Sequence, residues 1–201
     1  MRIRKTAAAG VLAVLGLGVA LAPNADAAYT MYLYQDGSNV VATGSGSINV
    51  TDLTLNLSGY VGGGLYPAAP QIIIFSSSTV NFWKGISGPA SFGSGNETDF
   101  TSYSGSSVGV FDSDSLILPV GYVSGAQLGT STASWDGTTL AALGVKTGTY
   151  VWSWGSGANS DTFTLYAGVT VPEPGSLALL GTGLAGLTLA MRRRRQRNES
   201  P

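Results

Sequence analysis

The basic residues are concentrated at the two ends of the chain, where each group lies beside a long apolar run. Arg2, Arg4 and Lys5 precede the uncharged residues 7–22, and arginines follow the uncharged residues 177–191. An apolar run with a basic flank is typical of a membrane-directed segment, which does not contribute to the core of a water-soluble domain. The part of this 201-residue chain that can fold in water is therefore residues 28–171, the length of one ordinary domain.

Composition excludes several kinds of chemistry. The chain has no histidine and no cysteine. Their absence excludes a serine–histidine–aspartate triad, a thiolate nucleophile, zinc or iron–sulfur sites built on either residue, and a disulfide. Within residues 28–171 the only cations are Lys84 and Lys146, against eight acidic residues. Because nucleic-acid binding requires a basic surface, we expect no nucleic-acid partner.

The N-terminus has the pattern of a secretory signal peptide. Its basic residues are followed by the apolar run and then by Ala25-Asp26-Ala27, an A-x-A cleavage site. We therefore interpret residues 1–27 as a signal helix that the general secretion machinery recognises and that is cut before Ala28. A retained membrane anchor is the alternative, but the run would span only about 24 Å of a hydrocarbon core about 30 Å thick.

The C-terminus has three parts in a fixed order. Pro172, Glu173 and Pro174 come first, and the two prolines prevent this segment from continuing a strand or forming a helix interior. Residues 177–191 then predict a short transmembrane helix. By the positive-inside rule, residues 28–171 lie outside the cell and a basic cluster stays in the cytoplasm. That cluster comprises Arg192, Arg193, Arg194 and Arg195.

Over residues 172–197 this tail resembles the PEP-CTERM sorting signal of exported bacterial proteins. The resemblance implies that an exosortase, a membrane-embedded protease-transpeptidase, recognises Pro172, Glu173 and Pro174 and removes the tail. It also implies a precursor that is transiently anchored in the membrane and a product that reaches the cell surface or the extracellular matrix. A plain single-span anchor behind a proline linker is the alternative interpretation.

Residues 28–171 alternate between apolar and polar side chains in short stretches separated by glycine-rich turns. Tyr32 and Tyr34 alternate with Leu33 before the turn Asp36-Gly37, and residues 72–75 are an all-apolar stretch typical of a central strand. This pattern predicts an all-β domain, an antiparallel β-sandwich of which the jelly roll is one form. We further predict a break near residues 51–52 and one helical turn at residues 138–143. Further strands are predicted around Leu53, Leu55, Leu57, Val80, Phe82 and residues 116–120.

The clearest local prediction is a β-hairpin near the end of this domain. Tyr150, Trp152 and Trp154 alternate with smaller residues, residues 155–159 reverse the chain, and residues 162–166 alternate again. The three aromatic side chains therefore share one face. Two interpretations remain open, because that face is either part of the sandwich core or a platform on which sugar rings stack, as in a carbohydrate-binding module.

Acidic residues and one serine supply the remaining candidate sites. Asp112 and Asp114, with Glu97 and Asp99 as further donors, form a candidate Ca²⁺ site, since hard oxygen ligands suit this ion. The more ordinary interpretation is a solvated acidic turn. Paired glycosidase carboxylates are permitted by residue type but supported by no pattern. Ser107 lies in a G-x-S-x-G pattern with no histidine to activate it.

Together these observations predict an exported cell-surface or extracellular-matrix protein that is sorted through its tail. We expect it to have no catalytic residues, no resident metal and no other cofactor. Its expected partners are the secretion machinery, an exosortase and the membrane, with exopolysaccharide as a further candidate. A carbohydrate-binding module is the second hypothesis, and a hydrolase that uses carboxylates is the third.

Overall fold

The computed structural model describes residues 28–75 and 79–169, and this part of the chain is almost entirely β-structure. The signal helix predicted for residues 1–27 and the transmembrane helix predicted for residues 177–191 lie outside the described residues. Within the described ranges no helix is long and apolar enough to cross a membrane. The helical element found there is a single 3₁₀ turn, Gly157–Asn159.

Thirteen strands form two sheets in the described residues. In chain order the strands are β1 (Ala28–Asp36), β2 (Asn39–Gly46), β3 (Thr54–Gly59), β4 (Gly64–Tyr66), β5 (Gln71–Ile74), β6 (Val80–Lys84), β7 (Thr98–Asp99), β8 (Ser102–Ser104), β9 (Val108–Phe111), β10 (Ser115–Pro119), β11 (Ser131–Trp135), β12 (Gly148–Trp154) and β13 (Asp161–Ala167). The six-stranded sheet has the order β12-β13-β1-β2-β11-β8. The seven-stranded sheet has the order β3-β6-β10-β9-β5-β4-β7.

Local sequence explains two hairpins of the six-stranded sheet. β1 and β2 are joined by a two-residue turn in which Gly37 has φ +59, a conformation that glycine adopts without steric cost and that fits a type II′ turn. β12 and β13 pair antiparallel along their whole length. The hairpins predicted from Asp36-Gly37 and from the aromatic alternation are both confirmed.

The two sheets enclose one hydrophobic core, as in a β-sandwich. Met31 and Phe163 of the six-stranded sheet belong to the same buried cluster as Ile72 and Leu116 of the seven-stranded sheet. The predicted all-β architecture is confirmed at this level. The described residues thus contain a core of the size that a domain needs to fold by itself.

One strand pair departs from the antiparallel prediction. β1 and β13 are parallel neighbours, with Ala28 opposite Thr162 and Leu33 opposite Ala167. The first and last strands therefore lie side by side in the interior of the six-stranded sheet. Parallel pairing was not predicted because alternation along a sequence identifies a strand without revealing its distant neighbour.

The outer face of the seven-stranded sheet carries a second apolar layer. Its buried members alternate along their strands with residues of the main core. Half-buried aromatic and aliphatic side chains pack against them, and two of these rings meet edge to face with centroids 6.0 Å apart. We call this group the outer apolar layer; it consists of Ile73, Val80 and Ile117 with Val61, Phe75, Phe82 and Phe111.

Leu55 and Leu57 of β3 do not share one face, although their spacing of two residues predicts that they would. The pairing of β3 with β6 shifts register between Leu55 and Leu57, which leaves Asn56 as a bulge. Leu55 is therefore opposite Trp83, which packs against the main core, whereas Leu57 is opposite Phe82 of the outer apolar layer. The bulge thus directs the two leucines to opposite sides of the sheet.

The helical turn predicted for residues 138–143 is replaced by a series of turns. The backbone N–H of Leu143 donates to the carbonyl oxygen of Thr139 at 2.9 Å, which is one helical hydrogen bond. Gly144 follows with φ +67, so the chain leaves the helical conformation at once. The side chain of Gln35 holds this loop by donating to Thr138 and accepting from Leu140.

Replacing Gly88 by alanine should destabilise the domain, because the added Cβ would overlap the buried ring of Trp152. We expect a loss of about 1–3 kcal/mol in the free energy of unfolding, measured by chemical denaturation. Gly59→Ala is the matched control, since its Cβ would meet only Leu57 Cδ1 at 3.5 Å. Equal effects of the two substitutions would contradict the packing described for Trp152.

Candidate functional site

The last strand fastens the C-terminal end of the domain into the sheet. β13 ends at Ala167, and the N–H of Gly168 donates to the carbonyl oxygen of Leu33 at 2.7 Å. Gly168 has φ +85, and the side chain of Thr147 occupies the space that a Cβ would need. The exposed Val169 follows. The described part of the chain therefore ends two residues after the last strand.

The first strand starts at the residue where the predicted signal peptide ends. β1 begins at Ala28, which is in register with Thr162 of the last strand. Because β1 and β13 are parallel, Ala28 lies at one end of this strand pair and Ala167 lies at the other. Ala167 is opposite Leu33, five residues along β1 from Ala28, so the two ends of the pair are roughly 17 Å apart. Cuts before Ala28 and after Val169 would leave every described strand intact.

The residues after this domain resemble a known sorting signal. A family profile described as the PEP-CTERM protein-sorting motif matches residues 170–195, starting directly after Val169. The chain carries a PEP-CTERM sorting motif. This finding confirms the resemblance drawn from the sequence and supports exosortase-dependent sorting of an exported protein. No curated protein and no solved structure matches the chain.

Most of the residues predicted to act in sorting lie outside the described ranges. The match over residues 170–195 includes the proline–glutamate–proline segment and the basic cluster. Their individual roles, and cleavage of the signal peptide before Ala28, stay predictions. The predicted sorting and cleavage residues that lie outside the described ranges are Ala25, Ala27, Pro172, Glu173, Pro174, Arg192, Arg193, Arg194 and Arg195.

The structure buries two of the three aromatic residues considered as a sugar platform. Trp152 is fully buried and Trp154 is 5% exposed. Trp152 packs edge to face on Phe163 with ring centroids 5.7 Å apart, and its Nε1 donates to the carbonyl oxygen of Asp112. Trp154 Nε1 donates to the carbonyl oxygen of Asn49 at 2.7 Å. Stacking on sugars requires an exposed ring face, so the platform hypothesis is wrong for both tryptophans, which belong to the core.

Tyr150, the third aromatic residue, is half-buried at the edge of the core. Its ring lies 5.8 Å from that of Phe92, and its hydroxyl donates to the carbonyl oxygen of Lys146 at 2.8 Å. Burial raises the pKa of the Tyr150 hydroxyl above its usual value. These three residues line an open cleft of about 480 Å³. One partly covered ring does not provide the platform that the alternative interpretation requires of three aligned rings.

The candidate calcium ligands are not arranged as an open oxygen site. Lys84 Nζ donates to both carboxylate oxygens of Asp114, at 2.9 and 2.8 Å, and Ser115 donates to one of them. These hydrogen bonds, led by that from Lys84, lower the pKa of Asp114. Asp112 occupies a tight turn with φ +58. Among the described residues no three acidic side chains are grouped closely enough to hold a metal ion.

The buried carboxylate of Asp161 is the polar feature that the sequence analysis missed. Asp161 is 4% exposed and accepts hydrogen bonds from the N–H groups of Asn49 and Thr162, each at 2.6 Å. It therefore joins the start of β13 to the segment that follows β2. A signal for its burial exists in the sequence, because Asp161 has the same parity as Phe163 and Leu165 in an alternating strand.

Ser107 lies in the interior and not at a surface where a substrate could reach it. It is 2% exposed and directly precedes β9. A nucleophile elbow places its serine at an exposed turn between a strand and a helix. Ser107 is instead buried next to a strand of the β-domain, so the G-x-S-x-G match does not identify an active site.

Trp152→Ala should unfold the domain or cost about 3–5 kcal/mol, as expected for a large side chain removed from a packed core. Val151→Ala, one residue earlier and on the exposed face, should change the free energy of unfolding by no more than about 0.5 kcal/mol. Denaturant unfolding followed by tryptophan fluorescence measures both. A stable, fully folded Trp152→Ala protein would show that this ring is not a core residue.

Calcium at millimolar concentration should leave the melting temperature unchanged, because Lys84 already occupies both carboxylate oxygens of Asp114. Differential scanning calorimetry of the wild type and of Asp114→Asn measures this. A calcium-dependent rise that disappears in Asp114→Asn would instead establish the site that the sequence suggested.

Proposed function

We propose that this chain is a sorted cargo protein without catalytic activity of its own. The signal peptide directs it out of the cell, the tail holds it in the membrane, and an exosortase cuts near Pro172, Glu173 and Pro174. The observation that carries the proposal is the position of the sorting motif. It starts at residue 170, whereas the last strand of the described β-domain has already ended at Ala167.

The geometry at the end of β13 suits a cut that leaves the cargo undamaged. The hydrogen bond from Gly168 to Leu33 holds the end of the strand, and among the described residues the core cluster ends at Ala167. Two prolines keep the recognition segment extended, because neither can donate to a strand or helix. An extended segment is the form in which a protease binds a chain. Removing the tail therefore leaves every contact described for the core in place.

The proposed destination is the cell surface or the extracellular matrix, in contact with exopolysaccharide. The outward positions of the six-stranded sheet are mostly serine, threonine and tyrosine. The hydroxyls of Ser104 and Thr132 lie 2.7 Å apart on this face, and the rings of Tyr32 and Tyr166 stack with centroids 5.2 Å apart. A neutral face rich in hydroxyl groups is compatible with a hydrated polysaccharide as its neighbour.

The absence of catalysis remains part of the proposal and is supported by the chemistry of the residues present. The sequence contains no histidine to activate a nucleophile and no cysteine to act as one. Of the acidic side chains described above, Asp114 is engaged by Lys84, and Asp161 accepts two backbone hydrogen bonds in the interior. A hydrolase that uses two opposed carboxylates needs a pair facing a substrate cleft.

Simultaneous replacement of Pro172, Glu173 and Pro174 by alanine should abolish processing in a host that contains an exosortase. The intact mass of the chain should then include the tail, and fractionation should find it in the membrane. Wild-type chain in a host without the exosortase should behave in the same way. In both cases the unprocessed tail supplies the anchor that retains the protein.

Replacement of Asn198, Glu199 and Ser200 by alanine is the matched control, because it also removes one acid but lies outside the matched motif. This variant should be processed like the wild type. The proposal fails if the alanine variant at residues 172–174 reaches its usual mass and location, or if the wild type keeps its tail in the presence of the exosortase.

A further inference from the structure

The edge of the seven-stranded sheet formed by β3 is long, uncharged and exposed. Among the described strands Thr54–Gly59 pairs only with β6, and its residues are exposed apart from the half-buried Gly59. It contains no lysine, aspartate, glutamate or proline, the residues that commonly protect such edges. Three of the eight large exposed hydrophobic residues in the described ranges lie in or beside it: Leu55 at 47%, Leu57 at 48% and Tyr60 at 78%.

The other three sheet edges in the described residues are short or covered. β7 has two residues, one of which is Asp99, and β8 has three. The edge strand β12 is bridged by the loop after β6, where Ser87 and Ser153 exchange two backbone hydrogen bonds of 2.9 Å. β3 is therefore the long edge that no bridge from another described residue covers.

The bulge in β3 determines what kind of partner can cover this edge. Because of the register shift at Asn56, Leu55 lies on the side of the main core and Leu57 lies on the side of the outer apolar layer. A ligand that lies flat on the sheet would cover only one of the two leucines. A β-strand laid along the edge would contact both, since its side chains alternate between the two faces, and would also pair with the free backbone groups.

We propose that β3 pairs antiparallel with β3 of a second copy of this chain, joining two seven-stranded sheets across a twofold axis. An identical strand supplies leucine side chains to both faces, so the contact is self-complementary. It would extend the outer apolar layer from Phe82 through Leu57 into the partner copy. Residues 28–171 carry eight acids against two lysines. Two copies would therefore repel each other across most of their surfaces but not along this neutral edge.

This pairing does not depend on the sorting tail, so either proposal can fail while the other stands. The test uses residues 28–169, which contain the complete core. Sedimentation velocity from about 1 to about 500 µM should show a concentration-dependent monomer–dimer equilibrium, because an interface of one strand pair is small and its affinity modest. Hydrogen exchange of the amides in residues 54–59 should slow as the dimer fraction rises.

Leu57→Lys should weaken the dimer about tenfold or more, because two lysines would meet beside the twofold axis. Val151→Lys is the matched control: Val151 is 46% exposed, similar to Leu57, and lies on the bridged edge strand β12. It should leave the equilibrium unchanged. Circular dichroism establishes that both variants are folded, and the exchange measurement on the wild type tests the same edge without any substitution.

A wild-type chain that stays monomeric over the whole concentration range would overturn the proposal. So would an equal loss of association in Val151→Lys, or a dimer in which residues 54–59 exchange as fast as in the monomer. The last two results would place the contact between copies somewhere other than β3.

Discussion

The parallel pairing of β1 with β13 is the contact on which the rest of the structure depends. It joins the two ends of the domain, places Tyr29 against Phe163 with ring centroids 5.3 Å apart, and is closed by the hydrogen bond from Gly168 to Leu33. Bringing such distant residues together costs chain entropy, which burial in the core offsets. As a result both ends of the domain are held within the sheet.

Glycine allows large aromatic rings to pack in this small domain, which explains part of the unusual composition of 29 glycines. A Cβ at Gly44 would lie 2.7 Å from the ring of Tyr29, and a Cβ at Gly88 would overlap Trp152. Both rings are fully buried. The core therefore combines aromatic side chains with glycines that leave space for them, and it provides this packing without any disulfide.

Short-range features of this fold could be predicted from the sequence, and long-range ones could not. The turn at Gly37 and the alternation in β12 and β13 are encoded in adjacent residues, so both hairpins were predicted. Alternation placed Trp152 and Trp154 on one face but did not reveal whether that face pointed inward. β11 was not predicted, because its small polar residues give too weak a hydrophobic signal. The bulge at Asn56 was not predicted either, because it depends on the pairing of β3 with the distant strand β6. The sorting tail was recognisable because order and spacing within one segment define it.

The central claim is that the protein is delivered as a complete β-domain released between two processing points. Intact-mass and terminal-sequence measurement on protein recovered from the cell surface or surrounding matrix tests it most directly. We expect a chain that begins at Ala28 and ends beyond Val169 but before the basic cluster. Recovered protein that still contains Arg192 to Arg195, or that has lost any part of β1 or β13, would contradict this account.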